Sequence, residues 1–247
     1  LLGELGLDGR VRAVRGLLPA LLAAVEHGFD QAIVPAVQLG EASLVKPLTI
    51  WGVGTLADVI EVLHGRPVLL PAVPRAAAIP SQRTLDLVEV VGQHHAKRVL
   101  EVAAAGRHHL FMSGPPGVGK TMLAERLPTI LPELTVPEAL EVMALRSLAD
   151  KVVSDRLELR PPYAAPHHSA SAPSIVGGGP RLARPGAVSL AHLGILFLDE
   201  APEFPAPVLD ALRALLEKGE IVLSRSEGPV TYPARFQLVM AANPCPC

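Results

Sequence analysis

Apolar positions in residues 1 to about 65 come in short runs broken by glycine: Leu5-Gly6-Leu7-Asp8-Gly9, then Leu17 to His27, then Ala32-Ile33-Val34-Pro35. The first long run has helical spacing and the last reads as a strand, so this part of the chain is a small α/β unit. Pro67, Pro71, Pro74 and Pro80 follow in a stretch with few polar anchors. Proline fixes φ and removes a backbone donor, so this stretch reads as an extended linker and marks a domain boundary. From about residue 84 the pattern predicts a helix near His94 to Ala105, a short buried strand Leu110–Ser113, a helix beginning at Thr121 and another from Glu138 to Ala149. Pro161 to Gly186 is polar and rich in proline and glycine, too long for a simple turn, and is expected to be an insertion or a functional loop. Ile195-Leu196-Phe197-Leu198 has the unbroken apolar character of a buried parallel strand. Val208, Leu209, Leu212, Leu215 and Leu216 then form the stripe of a helix packed on a sheet. Glu220 to Arg225 and Val230 to Tyr232 flank Ser226-Glu227-Gly228-Pro229, which has turn chemistry, and together they predict a hairpin. Phe236 to Ala242 completes the pattern as another core strand.

Chemistry enters where these elements end. Between the strand at Leu110–Ser113 and the helix that follows stands Gly114-Pro115-Pro116-Gly117-Val118-Gly119-Lys120-Thr121, with Met122 after it. This run fits the phosphate-binding pattern in which glycines let backbone N–H groups close around phosphate oxygens. The lysine reaches the β- and γ-phosphates and the threonine hydroxyl ligates Mg²⁺. The run Ile195–Leu198 delivers Asp199 and Glu200 to the carboxyl-terminal edge of a sheet, where ligands of open α/β sheets bind. Phe236 to Ala242 delivers Asn243 to the same edge. The reading is therefore ATP and Mg²⁺ as ligands, with Lys120 on the phosphates, Thr121 on the metal, Asp199 on the metal through its water shell, Glu200 orienting or deprotonating the attacking water, and Asn243 bonding that water or the γ-phosphate.

Composition narrows the remaining possibilities. At 247 residues and 49% hydrophobic content the chain can bury a sizeable core and has room for more than one domain. Net charge is −2, so there is no global basic footprint, and any nucleic-acid contact must be local, with Arg181, Arg184 and Arg225 as candidates on the loop and hairpin. The longest apolar runs, such as Leu17 to Val25, fall short of the roughly 18 to 20 residues that cross a bilayer, so no membrane partner is expected. Cys245 and Cys247 alone make no disulfide framework and suit a reducing, cytoplasmic compartment. They, and the pairs His94-His95, His108-His109 and His167-His168, raise metal binding as a second possibility, although adjacent side chains project in different directions. The chain starts without methionine and stops at Cys247 inside what reads as a continuing motif, so a fragment of a longer protein is expected.

These motifs, together with Val91-Gly92-Gln93, Ala96-Lys97-Arg98, Ala165-Pro166-His167-His168-Ser169-Ala170-Ser171, Arg184-Pro185-Gly186, Ser189-Leu190-Ala191-His192 and Asn243-Pro244-Cys245-Pro246-Cys247, resemble the magnesium-chelatase-like AAA+ ATPases of the YifB/ComM type. The resemblance implies a P-loop AAA+ parallel sheet flanked by helices, preceded by part of a small α/β, Lon-protease-like domain. The expected layout is 1–65 for the end of that domain, 66–83 for the linker and 84–247 for an AAA+ domain whose arginine finger and lid lie further along. Leu18 stands where proteolytic relatives carry a catalytic lysine, which argues against peptidase activity. Pro161 and Ala164 replace arginines usual in the family, which weakens the case for a phosphate or DNA contact from that loop. By resemblance the function is a ring-forming, hexameric ATPase acting on DNA, as a helicase or branch-migration factor in recombination or natural transformation. The alternative is a chelatase-type subunit that remodels a protein partner.

Overall fold

The computed structural model describes residues 1–66, 85–149, 154–179, 183–223 and 228–244. The chain separates into two compact units, Leu1–Gln82 with Ala139–Glu158, and Arg83–Glu138 with Leu159–Cys247.

In the first unit Gly16, in the left-handed region, starts the helix Leu17–Glu26. Two strands, Gln31–Pro35 and Thr49–Val53, pair in parallel. Helix Leu56–Leu63 follows, started by Thr55 and Asp58, which cap each other's amides. Leu17, Leu18, Leu21, Val34 and Val45 form the core with Met143 and Ala144. Those last two explain why residues 139–158 cluster here although the linear reading assigned them to the nucleotide domain. The inward face of helix Val136–Leu148 is apolar, and Met143 is 1% exposed in this core. Arg146 also pairs with Glu158 within the same unit. Leu18 is fully buried and its amide donates to Glu41 Oε1 at 3.3 Å.

The second unit is built on a parallel sheet of four strands. Its order is Leu110–Ser113, Gln237–Ala242, Ile195–Leu198, Tyr163–Ala164. The last strand in sequence is thus central, paired with Leu110–Ser113 on one side and Ile195–Leu198 on the other. Ile195–Leu198 is buried on both faces, as its unbroken apolar sequence requires. One face packs Ile195, Phe197, Val239 and Ala241 against Leu100 and Ala104 of helix His94–Gly106 and Leu123 of helix Lys120–Arg126. Gln237 anchors the start of the central strand by donating its buried amide to Ala103 O (3.2 Å) and His108 O (2.7 Å).

The stretch 161–186 has more order than a loop. It opens with the edge strand Tyr163–Ala164, continues through helix Ala172–Val176, capped by Ser171, and ends in a two-residue antiparallel ladder of Gly177–Gly178 with Arg184–Pro185. Helix Ala206–Lys218 buries Val208, Leu212 and Leu215 and ends at Gly219 in the left-handed region. The hairpin forms from Glu220–Leu223 and Val230–Pro233, and Tyr232 Oη donates to Ala183 O at 2.7 Å. Among the described residues no helix is long and apolar enough to cross a membrane.

Candidate functional site

Parallel strands end on one edge, so the segments after Ser113, Leu198 and Ala242 meet there. Gly117 and Gly119 take φ of +82° and +89°, a conformation that favours glycine, and this curls the loop from Gly114 back over the strand end. At its close Lys120 begins the helix, and its ammonium donates to Gly114 O (2.6 Å), Pro115 O (3.0 Å) and Asn243 Oδ1 (2.9 Å). One cation therefore joins the phosphate-type loop to the end of the central strand. Thr121 Oγ1 donates to Asp199 Oδ2 at 2.6 Å, joining the loop to the acidic strand. Asp199 Oδ1 in turn accepts from Glu200 N at 3.0 Å. Glu200 has φ of +51°, in the left-handed region that few residues other than glycine adopt.

Of the residues singled out from the sequence, the structure brings Lys120, Thr121, Asp199 and Asn243 into direct contact, with Glu200 adjacent. Pro115, Pro116, Gly117 and Val118 line the exposed rim of the loop. Met122 is partly buried against the core beneath it. Arg184 lies exposed in its short ladder. Arg181, Arg225, Cys245 and Cys247 lie outside the described residues, as do residues 67–83 of the proline-rich linker. Among the described residues no group of three or more His, Cys, Asp or Glu side chains is placed to hold a metal ion.

Two residues have a place at the site that the sequence does not assign them. Gln93, itself at φ +50° after Gly92 at +72°, extends its amide to Val118 O at 3.0 Å and so braces the loop from outside. His168 places Nδ1 3.4 Å from Glu200 Oε2, a contact 32 positions apart in sequence that periodicity cannot reveal. Beneath the site Tyr163 stacks on Phe197, and its phenol is pushed well above the usual tyrosine range by burial, then by Glu125 and Asp199. Its hydroxyl is buried without a hydrogen-bond partner among the described residues.

The donor set suits a magnesium nucleotide. Thr121 Oγ1 and Asp199 Oδ2 are hard oxygens already within one coordination sphere's span, the kind of pair Mg²⁺ takes alongside phosphate oxygens and water. The three carbonyl oxygens around the Lys120 ammonium occupy the donors that phosphate oxygens would use.

Residues 86–247 match the family described as magnesium chelatase, subunit ChlI, and residues 1–38 match a second family described as subunit ChlI of Mg-chelatase. A Mycobacterium tuberculosis protein is 55% identical over 100% of this chain and 49% of its own length. The competence protein ComM of Haemophilus influenzae is 47% identical over 98% of this chain and 48% of its own length. YifB of Escherichia coli is 44% identical over 100% of this chain and 48% of its own. The chain belongs to the magnesium-chelatase-like AAA+ family of the YifB/ComM type, and it spans about half the length of the curated relatives it matches.

Proposed function

We propose that this chain is the nucleotide-binding half of an ATP-hydrolysing motor that works on DNA. The observation that carries the reading is the meeting of Lys120 with Asn243 and of Thr121 with Asp199, three strand ends held together by two polar contacts. In this reading the Gly114–Thr121 loop holds the phosphates of ATP through backbone N–H groups and Lys120. Thr121 and Asp199 hold Mg²⁺, which supplies neutralisation of the charge on the phosphates. Glu200 orients a water and takes its proton as the water oxygen attacks the γ-phosphorus. The bond to the bridging oxygen breaks, releasing ADP and inorganic phosphate. Asn243 exchanges its bond to Lys120 for one to the γ-phosphate or the attacking water.

The DNA component rests on the 47% identity to a competence protein and on family resemblance, with a cytoplasmic hexameric ring as the working assembly. A second reading, a chelatase-type subunit that remodels a partner protein, is favoured by the description of the matching family. ATP turnover by the full-length protein, with and without single-stranded and branched DNA, separates them, with Glu200→Gln as the blank. Severalfold stimulation by DNA that Glu200→Gln abolishes supports the DNA motor. Turnover indifferent to DNA at every salt concentration favours the protein-remodelling reading, and absent turnover refutes both.

A further inference from the structure

The carboxylate assigned to water activation has a neighbour that the nucleotide loop does not supply. His168 Nδ1 lies 3.4 Å from Glu200 Oε2. The imidazole is held from several sides. Its ring meets Phe204 edge-on, with centroids 6.5 Å apart and planes at 80°, and Phe204 is 3% exposed. The ring of His167 lies against it at 4.1 Å. His167 is itself fixed: its Nδ1 accepts from Ser169 N at 3.2 Å and lies 2.7 Å from Ser169 Oγ, and its carbonyl closes a turn by accepting from Ala170 N at 2.9 Å.

Glu200 is fixed through its backbone. Its N–H reaches Asp199 Oδ1, and its carbonyl accepts from Glu203 N at 2.8 Å. The side chain is about half exposed, so the backbone alone does not choose a rotamer for it. A carboxylate has two oxygens, and His168 faces one of them.

We propose that His168 is a positioning residue for Glu200: its Nδ1–H donates to Oε2 and leaves Oε1 turned toward the attacking water. This rests on the reading of Glu200 as the water-activating group. The 3.4 Å separation is loose for a hydrogen bond, as such contacts commonly are before substrate binds. The competing account is that the ring serves only to pack against Phe204 and His167.

Two substitutions in the full-length protein separate donor from packing. His168→Phe keeps an aromatic ring against Phe204 and removes the donor. His168→Asn keeps an amide donor near the Nδ1 position and removes the ring. Steady-state ATP hydrolysis should show kcat of His168→Phe reduced on the order of tenfold, with KM for ATP and affinity for a fluorescent ATP analogue unchanged. His168→Asn should recover most of that loss. Wild-type kcat in His168→Phe overturns the proposal, as does loss of nucleotide affinity and of thermal midpoint in both variants, which would mark a packing role. Wild-type turnover that survives Glu200→Gln, or no wild-type turnover, removes the role of Glu200 itself, and that outcome is visible before the histidine variants are compared.

Discussion

Gly194 stands immediately before the acidic strand, at a position with no room for one added methyl group. An ideal Cβ there would lie 2.7 Å from both N and Cδ of Pro162, and closer still to Pro162 O. These are backbone and ring atoms with little freedom to move aside. Pro162 O accepts the amide of Ile195 at 2.8 Å, the bond that begins pairing of Tyr163–Ala164 with Ile195–Leu196. Gly194→Ala therefore forces the edge strand away from the acidic strand. Overpacking of this kind costs about 1–3 kcal/mol, and the lost hydrogen bond about 1 kcal/mol more. The reduced freedom of the unfolded chain returns about 0.4–1 kcal/mol. The net loss is about 1–3.5 kcal/mol, which for a chain of this size lowers the thermal midpoint by about 2–14 °C. Circular dichroism melting gives the midpoint, and hydrogen exchange should show the Ile195 amide losing protection. Gly54→Ala is the control, since its Cβ meets only Asp58 Oδ2, at an ordinary 3.4 Å. An unchanged midpoint with a protected Ile195 amide in Gly194→Ala would refute the argument.

Three further outcomes follow from contacts already described. Thr55→Ala removes the side chain that caps helix Leu56–Leu63 and should cost about 1 kcal/mol in chemical denaturation, whereas Thr55→Ser should cost much less. Tyr163→Phe deletes a buried hydroxyl that has no partner among the described residues, so it should leave stability equal or raise it by up to about 1 kcal/mol; a clear loss in denaturation would show that the hydroxyl is satisfied. Glu138 accepts from the hydroxyl and the amide of Thr135, and these bonds hold its carboxyl below the usual glutamate range. A lowered folded-state pKa gives stability that is present above the unfolded value and lost as pH falls through the folded one. The urea midpoint should therefore fall on acidification below the usual glutamate range, and Glu138→Gln should flatten that part of the profile; parallel profiles would sink the assignment.

The elements around the site were legible because each has a local signature. Ile195–Leu198 is buried on both faces and has no polar break, and the loop at Gly114–Thr121 needs glycines at two left-handed positions. That Asp199 and Asn243 reach one edge also follows from sequence, given parallel strands. The sheet order does not follow. Nothing local tells that Gln237–Ala242 inserts between Leu110–Ser113 and Ile195–Leu198, and the Lys120–Asn243 contact depends on that insertion. The polar composition of 161–186 hid the edge strand, since Tyr163–Ala164 is two residues long and borrows its stability from Ile195–Leu196. The same composition hid His168, whose histidine pair reads from sequence as a metal motif but whose neighbour is a carboxylate from a different strand. Membership of 139–158 in the first unit was illegible for a related reason: helical periodicity identifies the apolar face of a helix and not the core that receives it.

The place of Gln237–Ala242 in the sheet has a consequence for synthesis. The pair Leu238 and His109 is separated by 129 residues, so the ribosome finishes Leu110–Ser113 long before it makes the central strand, and it finishes Ile195–Leu198 before that strand as well. Until residue 242 has left the exit tunnel, Leu110–Ser113 and Ile195–Leu198 each present an unpaired backbone edge on the side where their partner will sit. Exposed edges of this kind recruit other nascent chains. Truncation anywhere between the acidic strand and residue 237 therefore yields a polypeptide with the whole sequence of the nucleotide loop but without the strand that joins Leu110–Ser113 to Ile195–Leu198, which gives cellular chaperones a defined interval in which to act.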